Sequence, residues 1–407
     1  MQKQIQGNPR KYLGWCSLLH VINDGYIASL SLLLPFIAVD LNLTYTQSGL
    51  LKTASHGAIS AAQIPAGFLS ESFGDILMLG LGGAWFSLSY MAMILAFSYP
   101  LTLIFILSSG IGGGVYHPVG TALVSNVYPA EKSGPAISTL NFFGDVGKVL
   151  FPALAGFLVV RIGWQGSCVV LGTIGLGASF GYLLFLRADI GPAKQQTMQK
   201  PEEHHIDSAN LKTLQGWGIA KPGQFALYSA LGFLDNGIRA AVTAFLGFLL
   251  IKIRIKESAV GGLMSLTFFG GALGKLLCGM PIQKLGVKRI ILLTELLMIL
   301  GCFALPSVPA GWPIVLFLPL FGFMLNGTSS VIYVGVVPTL EPKYRSRGYA
   351  LHYTLNFIAS AASPYLLGFV GDIYGLNTIF YMTGVLMVLG LPLVIFLKAG
   401  DSLQMGK

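Results

Sequence analysis

Charge is what this sequence has least of. Of 407 residues only 10% are Asp, Glu, Lys or Arg, while 54% are hydrophobic; a soluble domain carries about 25% charged residues. Cysteine is scarce as well. Cys16, Cys168, Cys278 and Cys302 all fall in apolar runs without metal-ligand spacing, which argues against a disulfide framework or a structural zinc site. There is no nucleotide-binding loop, no HExxH zinc-protease motif and no polar stretch long enough for a sizeable soluble domain. An enzyme, an ATP-driven pump or a signal receptor would lack its working parts, so no catalytic residue and no resident cofactor is expected.

What is there instead is apolar length. Mean hydropathy is +0.71, and twelve stretches of about 20 or more apolar residues recur between positions 12 and 398, each enough for an α-helix to cross a bilayer. The runs are too continuous for the alternation of a membrane β-barrel, so helices must satisfy the backbone in lipid. The expected fold is all-α and integral to the membrane: twelve transmembrane helices in two pseudo-symmetric six-helix bundles. The first apolar stretch is too long for a cleaved signal peptide, so it is expected to remain in the mature chain.

The net charge of +9 does not imply nucleic acid. With both termini inside, the cytoplasmic segments carry 17 Lys and Arg and the outer loops four, the asymmetry of a multi-pass protein of the inner (plasma) membrane. The outer four include the cluster Lys252, Arg254 and Lys256, for which this bias offers no account. Residues 188–222 form the least apolar interruption and read as a cytoplasmic linker between bundles at 1–187 and 223–407; His204 and His205 there read as solvated.

The halves superpose at a shift of 212 residues. Asn23-Asp24-Gly25 falls on Asp235-Asn236-Gly237, Gly67 on Gly279, Pro152 on Pro364 and Gly156 on Gly368; Thr139-Leu140-Asn141 falls on Thr354-Leu355-Asn356 if the shift grows to 215. Internal repeats that rock against each other around a mid-membrane site are the usual architecture of secondary transporters.

Six spans plus six, with a glycine-led loop after the second of each half, resembles the major facilitator superfamily. The C-terminal loop GMPIQKLGVKR, Gly279 to Arg289, is close to that family's signature, with Gln283 where an aspartate is common and Lys288 and Arg289 at its basic end. The N-terminal copy, GFLSESFGD from Gly67 to Asp75, keeps an acidic residue at Glu71 and lacks the basic ones. HVIND at 20–24, LTYTQSGLL at 43–51 and GVYHP at 114–118 are similar to the fosmidomycin-resistance group of the superfamily. That resemblance implies outward movement of a phosphonate-like solute driven by proton entry, in a monomer that needs only its solute and the lipid bilayer. The fifth span departs from that group, with GDVGK at 144–148 where a small neutral stretch is usual.

Ionisable side chains inside spans are costly and are functional candidates by default. On the first span His20, Asn23 and Asp24 share a face; Asp24 is the leading proton carrier, since a carboxylate in a partly dry site can load and release a proton. Lys52 and His56 make a stripe on the second, with Lys52 near enough to the outer surface to snorkel. Tyr116 and His117 follow three glycines, and Pro118 should kink the helix there. On the fifth, Asn141, Asp145 and Lys148 share a face, the last two close enough to pair. The seventh carries Asp235, Asn236 and Arg239, the arginine suited to a carboxylate or phosphonate. Tyr333, His352 and Asn356 complete the polar set, while Lys275 and Glu295 are assigned to structure. Asp24, His117, Asp145 and Asp235 are thus expected to handle protons and the others to bind a small anionic or zwitterionic solute. Two alternatives stay open: a divalent transition metal or metal chelate held by His20, Asp24, His56 and His117, and a broad drug/proton antiporter.

Overall fold

The computed structural model describes residues 8–187, 217–341 and 345–397, with the side chains of 130, 131, 283, 345–347 and 350 outside that description. Residues 188–216 of the expected linker, His204 and His205 among them, lie outside the described residues. Two compact units emerge: Met1–Thr197 with Leu250–Ser265, and Met198–Leu249 with Leu266–Lys407.

Among the described residues the regular structure is helical, apart from an isolated bridge between Ile219 and Leu340. In order come α1 (Pro9–Asp40), α2 (Tyr45–Phe73), α3 (Asp75–Ala92), α4 (Tyr99–Gly114), α5 (Tyr116–Val127) and α6 (Ala130–Phe185). They are followed by α7 (Pro222–Lys252), α8 (Glu257–Gly279), the single turn α9 (Ile282–Leu285), α10 (Val287–Ala304), α11 (Trp312–Val336), α12 (Arg345–Tyr374) and α13 (Leu376–Ile395). Among the described residues ten helical segments are long and apolar enough to cross a membrane. One of them, Lys132–Phe185, has 54 residues and is broken at Gly163, so it holds two spans. Adding α2, whose polar stripe lowers its hydropathy, gives the twelve that the sequence implies.

Local chemistry sets the helix ends. Thr44 opens α2 with a capping box: Gln47 N–H donates to Thr44 Oγ1 at 3.2 Å and Thr44 N–H to Gln47 Oε1 at 3.0 Å, which satisfies two otherwise unpaired donors. The fourth span breaks at Val115, between α4 and α5, because Pro118 offers no N–H to the Gly114 carbonyl. The kink expected at the proline therefore lies one turn before it.

The turns repeat as the sequence does. Left-handed backbone occurs at Asn42 and Arg254, at Gly74 and Gly286, and at Gly163 and Gly375, and in each pair the second residue follows the first by 212. Contacts inside each unit keep the same step. A Cβ on Gly25 would strike Phe151, and one on Gly237 would meet Ser363, again 212 residues on in both helices. The shift of 215 that aligns Thr139-Leu140-Asn141 with Thr354-Leu355-Asn356 is therefore a coincidence of letters: in space Leu140 corresponds to His352.

Within the first unit α1 is the buried element. Tyr12, Cys16, Tyr26, Leu32 and Leu34 are almost fully enclosed, and Tyr26 is tied at both ends, its hydroxyl donating to the Leu171 carbonyl at 2.9 Å and its carbonyl accepting from Tyr90 at 2.6 Å. Large apolar side chains such as Phe68, Trp85, Phe157, Leu316 and Phe396 are exposed, as a chain bathed in hydrocarbon requires.

Candidate functional site

Asp24 is the centre of the first unit's polar cluster. Its side chain is 6% exposed, and three basic side chains from three helices converge on it. Lys148 of α6 brings Nζ to 2.9 Å from Oδ2. Nε2 of His20, one turn back on α1, lies 3.5 Å from Oδ1, and Nε2 of His117 on α5 lies 3.7 Å from the same oxygen. The carboxylate is therefore divided: one oxygen faces an ammonium, the other faces two imidazoles and accepts from Asn23 Nδ2 at 3.3 Å.

The surroundings hold this arrangement in place. His20 Nδ1 lies 2.8 Å from the Leu140 carbonyl; a carbonyl only accepts, so Nδ1 carries the hydrogen and Nε2 is left as the basic nitrogen turned toward Asp24. The ring of Tyr116 lies 4.6 Å from that of His20, and its hydroxyl donates to the Cys16 carbonyl at 2.6 Å, so Tyr116 positions the imidazole. Gly144 leaves the space: a Cβ there would sit 2.7 Å from His20 Nε2 and 2.8 Å from Asp24 Oδ2.

Lys148 is shared. Its Nζ also donates to Asp145 Oδ1 at 3.1 Å, so two carboxylates compete for one ammonium that remains 31% exposed. Neutralising one carboxylate would leave the other as the lysine's counter-ion.

Lys52 is buried and does not snorkel; Nζ donates to the Ile27 carbonyl at 2.9 Å. The helix α2 packs this stem against α1, whereas its position along the chain had suggested a route to the surface. A buried ammonium whose described partner is a single carbonyl costs stability. Lys52→Met is therefore expected to leave the protein as stable or up to about 2 kcal/mol more stable, read as an unchanged or raised Tm in detergent. His56 is half-buried on the same helix and stands apart from the Asp24 cluster, and Asn141 is exposed.

The second unit has its own polar cluster. Asp235 is fully buried and ion-paired with Arg239, whose Nε donates to the Leu325 carbonyl at 3.1 Å and whose other terminal nitrogen donates to Asn236 Oδ1 at 3.4 Å. A turn away His352 lies 3.1 Å from Ser229 Oγ through Nδ1 and accepts from Asn356 Nδ2 at Nε2, 3.0 Å away. Tyr333 sets its ring edge against His352 at 5.6 Å. Both units thus bring a histidine to a glycine, but the contributors are exchanged: His20 meets Gly144 of α6, whereas His352 of α12 meets Gly232 of α7.

The loop residues show two kinds of placement. Gly67 and Glu71 lie in the last turns of α2, with Glu71 exposed; the acidic residue engaged beside them is Asp75, which accepts from Asn126 Nδ2 at 3.5 Å. Gly279 ends α8. Lys288 donates to the Ile395 and Leu397 carbonyls at 2.5 and 3.0 Å and caps α13, while Arg289 is exposed and the side chain of Gln283 lies outside the described residues. Ser229 carried no signal in sequence, while Asp75 was visible only as the end of the N-terminal loop and the buried Glu295 only as a lone acid assigned to structure, since single polar residues in apolar helices reveal partners only in space.

Among the described residues one group has metal-like convergence: His20, Asp24 and His117, with ligand atoms within 4.8 Å of one another. His56, the fourth expected ligand, is not part of it. The donor set suits a divalent ion, but the Lys148 ammonium already balances the carboxylate at the site.

Comparison with known proteins gives a consistent picture. The family model described as Major Facilitator Superfamily matches residues 16–253 and 228–403. The chain is 21% identical over 393 residues to the probable L-galactonate transporter of Escherichia coli (strain K12), covering 91% of this chain and 84% of that one. It is 25% identical to the hexuronate transporter of Bacillus subtilis (strain 168), over 87% and 86%. A bacterial homolog to the human lysosomal transporter Spinster, crystallised inward-facing and unoccupied, superposes with a TM-score of 0.74 at 16% identity over 96% of each chain.

Proposed function

The chain belongs to the Major Facilitator Superfamily, and from that premise we propose that it is a proton-coupled secondary transporter of small organic anions, working by alternating access in the inner (plasma) membrane as a monomer with both termini in the cytoplasm. One observation carries the reading: Lys148 is held between Asp24 and Asp145, while the other oxygen of Asp24 faces two imidazoles. A proton delivered through His117 or His20 to Asp24 releases Lys148 toward an anion, and histidine is the side chain suited to that delivery near neutral pH. Asp145 serves as the alternative partner; in the second unit Arg239, with Asp235 as its resting counter-ion, is a further candidate for an anionic group. Lys52 in the first unit, and Asn236, Tyr333, His352 and Asn356 in the second, are each candidates for solute contact within their own unit. The galactonate and hexuronate transported by the two relatives are small carboxylates and fit these cations.

The sign of the linkage decides direction. For a pure anion, proton and solute load together, and a proton gradient drives uptake. Efflux in exchange for protons, which the fosmidomycin-resistance resemblance implies, needs a solute whose own cationic group competes with the proton for Asp24. A zwitterionic phosphonate meets that condition. Metal transport is the remaining alternative, favoured by the triad of His20, Asp24 and His117.

The test is transport in proteoliposomes with a pH-sensitive dye inside, offered glucuronate, galactonate, a zwitterionic phosphonate, a lipophilic cation, and iron(II) or zinc. Proton entry alongside glucuronate or galactonate is expected. Proton exit with the phosphonate alone would select the export reading, and flux with metal alone would overturn anion transport.

A further inference from the structure

The Asp24 cluster contains an acceptor that nothing satisfies. His20 spends its ring hydrogen on the Leu140 carbonyl, 2.8 Å from Nδ1, so its Nε2 presents a lone pair. That nitrogen is buried and has no hydrogen-bond partner. It faces a second acceptor, Asp24 Oδ1, at 3.5 Å, and His117 turns its own Nε2 toward the same oxygen from 3.7 Å. The three atoms lie within 4.8 Å of one another. A proton bridges one pair of acceptors at a time, whereas a metal ion accepts electrons from all three.

The distances suit such an ion. Ligand atoms around a tetrahedral zinc stand about 3.3 Å apart, so both edges that meet at Asp24 Oδ1 are nearly formed. His20 is already oriented, because a hydrogen bond from the far ring nitrogen to a backbone carbonyl is the usual support of a metal-bound imidazole. His117, 38% exposed, is the ligand free to swing inward and the side from which an ion can enter. Gly144 keeps the space beside His20 Nε2 clear, since a Cβ there would stand 2.7 Å from it.

The neighbouring charges permit a cation. The helix α1 supplies Asp24 and the neutral Asn23, α5 supplies His117, and α6 supplies Lys148 and Asp145. Lys148 occupies the other oxygen of Asp24, Oδ2, and also holds Asp145 at 3.1 Å. The ammonium therefore keeps a counter-ion when a metal takes Oδ1. Two imidazoles and one carboxylate favour zinc, cobalt(II), nickel or copper(II) over magnesium and calcium, which prefer oxygen.

We propose that His20, Asp24 and His117 form an inhibitory site for a divalent transition ion, with zinc as the representative, held by the protein and not carried by it. A cargo must be given up at every turnover, whereas three protein ligands and a water are the complement of enzyme sites that retain their zinc. All three ligands come from one unit, so the ion needs nothing from the second to complete its shell. The bound ion blocks the oxygen of Asp24 that the imidazoles face, and its effect on transport rests on the reading that a proton reaches Asp24 there. Binding itself does not depend on that reading.

The experiment loads the full chain in detergent with cobalt(II), whose four-coordinate complexes absorb in the visible. A band is expected in the wild type, displaced by zinc and not by magnesium, and lost in His117→Ala and in Asp24→Asn. Either variant supplies the readout if the other fails to fold. The band should persist when His204 and His205, the adjacent histidines of the linker sequence, are both replaced by alanine. A band lost there, one that survives in a folded ligand variant, or none in the wild type would overturn the site. In proteoliposomes zinc should stop proton entry with glucuronate, a chelator should restore it, and no zinc should reach a dye inside. Zinc entry would make the ion a cargo and overturn inhibition, as would glucuronate transport that continues with the site filled. A chain that bound cobalt but moved no glucuronate would refute the anion reading, while the cobalt band and the zinc-entry assay would still decide whether the ion is held.

Discussion

Asp24→Asn is expected to abolish proton-driven accumulation while leaving exchange of solute across the membrane intact. Asparagine keeps the size of the side chain and one acceptor for the imidazoles, but it neither binds a transported proton nor competes for Lys148. The ammonium retains Asp145 at 3.1 Å, so the variant still has a counter-ion and should fold. With one proton moved per solute, a gradient of one pH unit supports about tenfold accumulation, equivalent to about 1.4 kcal/mol. The variant should show none, because its cycle no longer includes the proton. The measurement pairs uptake of labelled glucuronate under an imposed gradient with equilibrium exchange at equal pH. Accumulation that persisted in Asp24→Asn would remove this residue from the coupling mechanism.

A large loss of stability is expected at a position without a side chain. Gly147 of α6 packs directly on the α1 backbone, where a Cβ would strike the Val21 carbonyl. That neighbour is main chain and cannot rotate away, so Gly147→Ala must push α1 and α6 apart beside the Asp24 cluster. Overpacking costs typically 1–3 kcal/mol, occasionally more, and helix contacts in membranes rest on such small residues; about 3 kcal/mol is expected here. Gly14→Ala on α1, where a Cβ meets nothing, is the control. Thermal unfolding in detergent should separate the two by several degrees, with Gly14→Ala at or above the wild type.

The fold was legible because length and polarity are sufficient to find a membrane helix, and the repeat was legible because the prolines and glycines that shape helices keep their register. Asp24, His20 and His117 could be nominated as costly polar residues in apolar runs, but no spacing rule joins positions 24, 117 and 148. Their convergence depends on Gly144 and Gly147 letting α6 approach α1, a contact that leaves no pattern along a single strand of letters. Lys52 was misjudged for a related reason: distance from a helix end suggests depth but says nothing about which side chain a neighbouring helix will cover. Glu295, assigned to structure, is buried on α10 in the fold, and a lone acid in an apolar helix has no visible partner in sequence.

The contest for Lys148 has an electrical side. With the imidazoles neutral, Asp24, Asp145 and Lys148 together carry one excess negative charge, which a bound proton cancels and a bound anion restores. Moving one elementary charge through the whole transmembrane potential is worth about 2.3 kcal/mol per 100 mV, and any reorientation that shifts this cluster through part of that field feels the corresponding fraction. In the proposed cycle the empty carrier and the carrier loaded with proton and anion bear the same charge, so membrane voltage would act alike on their two crossings. The net work that voltage does in a cycle is set by the charge of what is carried, and the cluster itself contributes none.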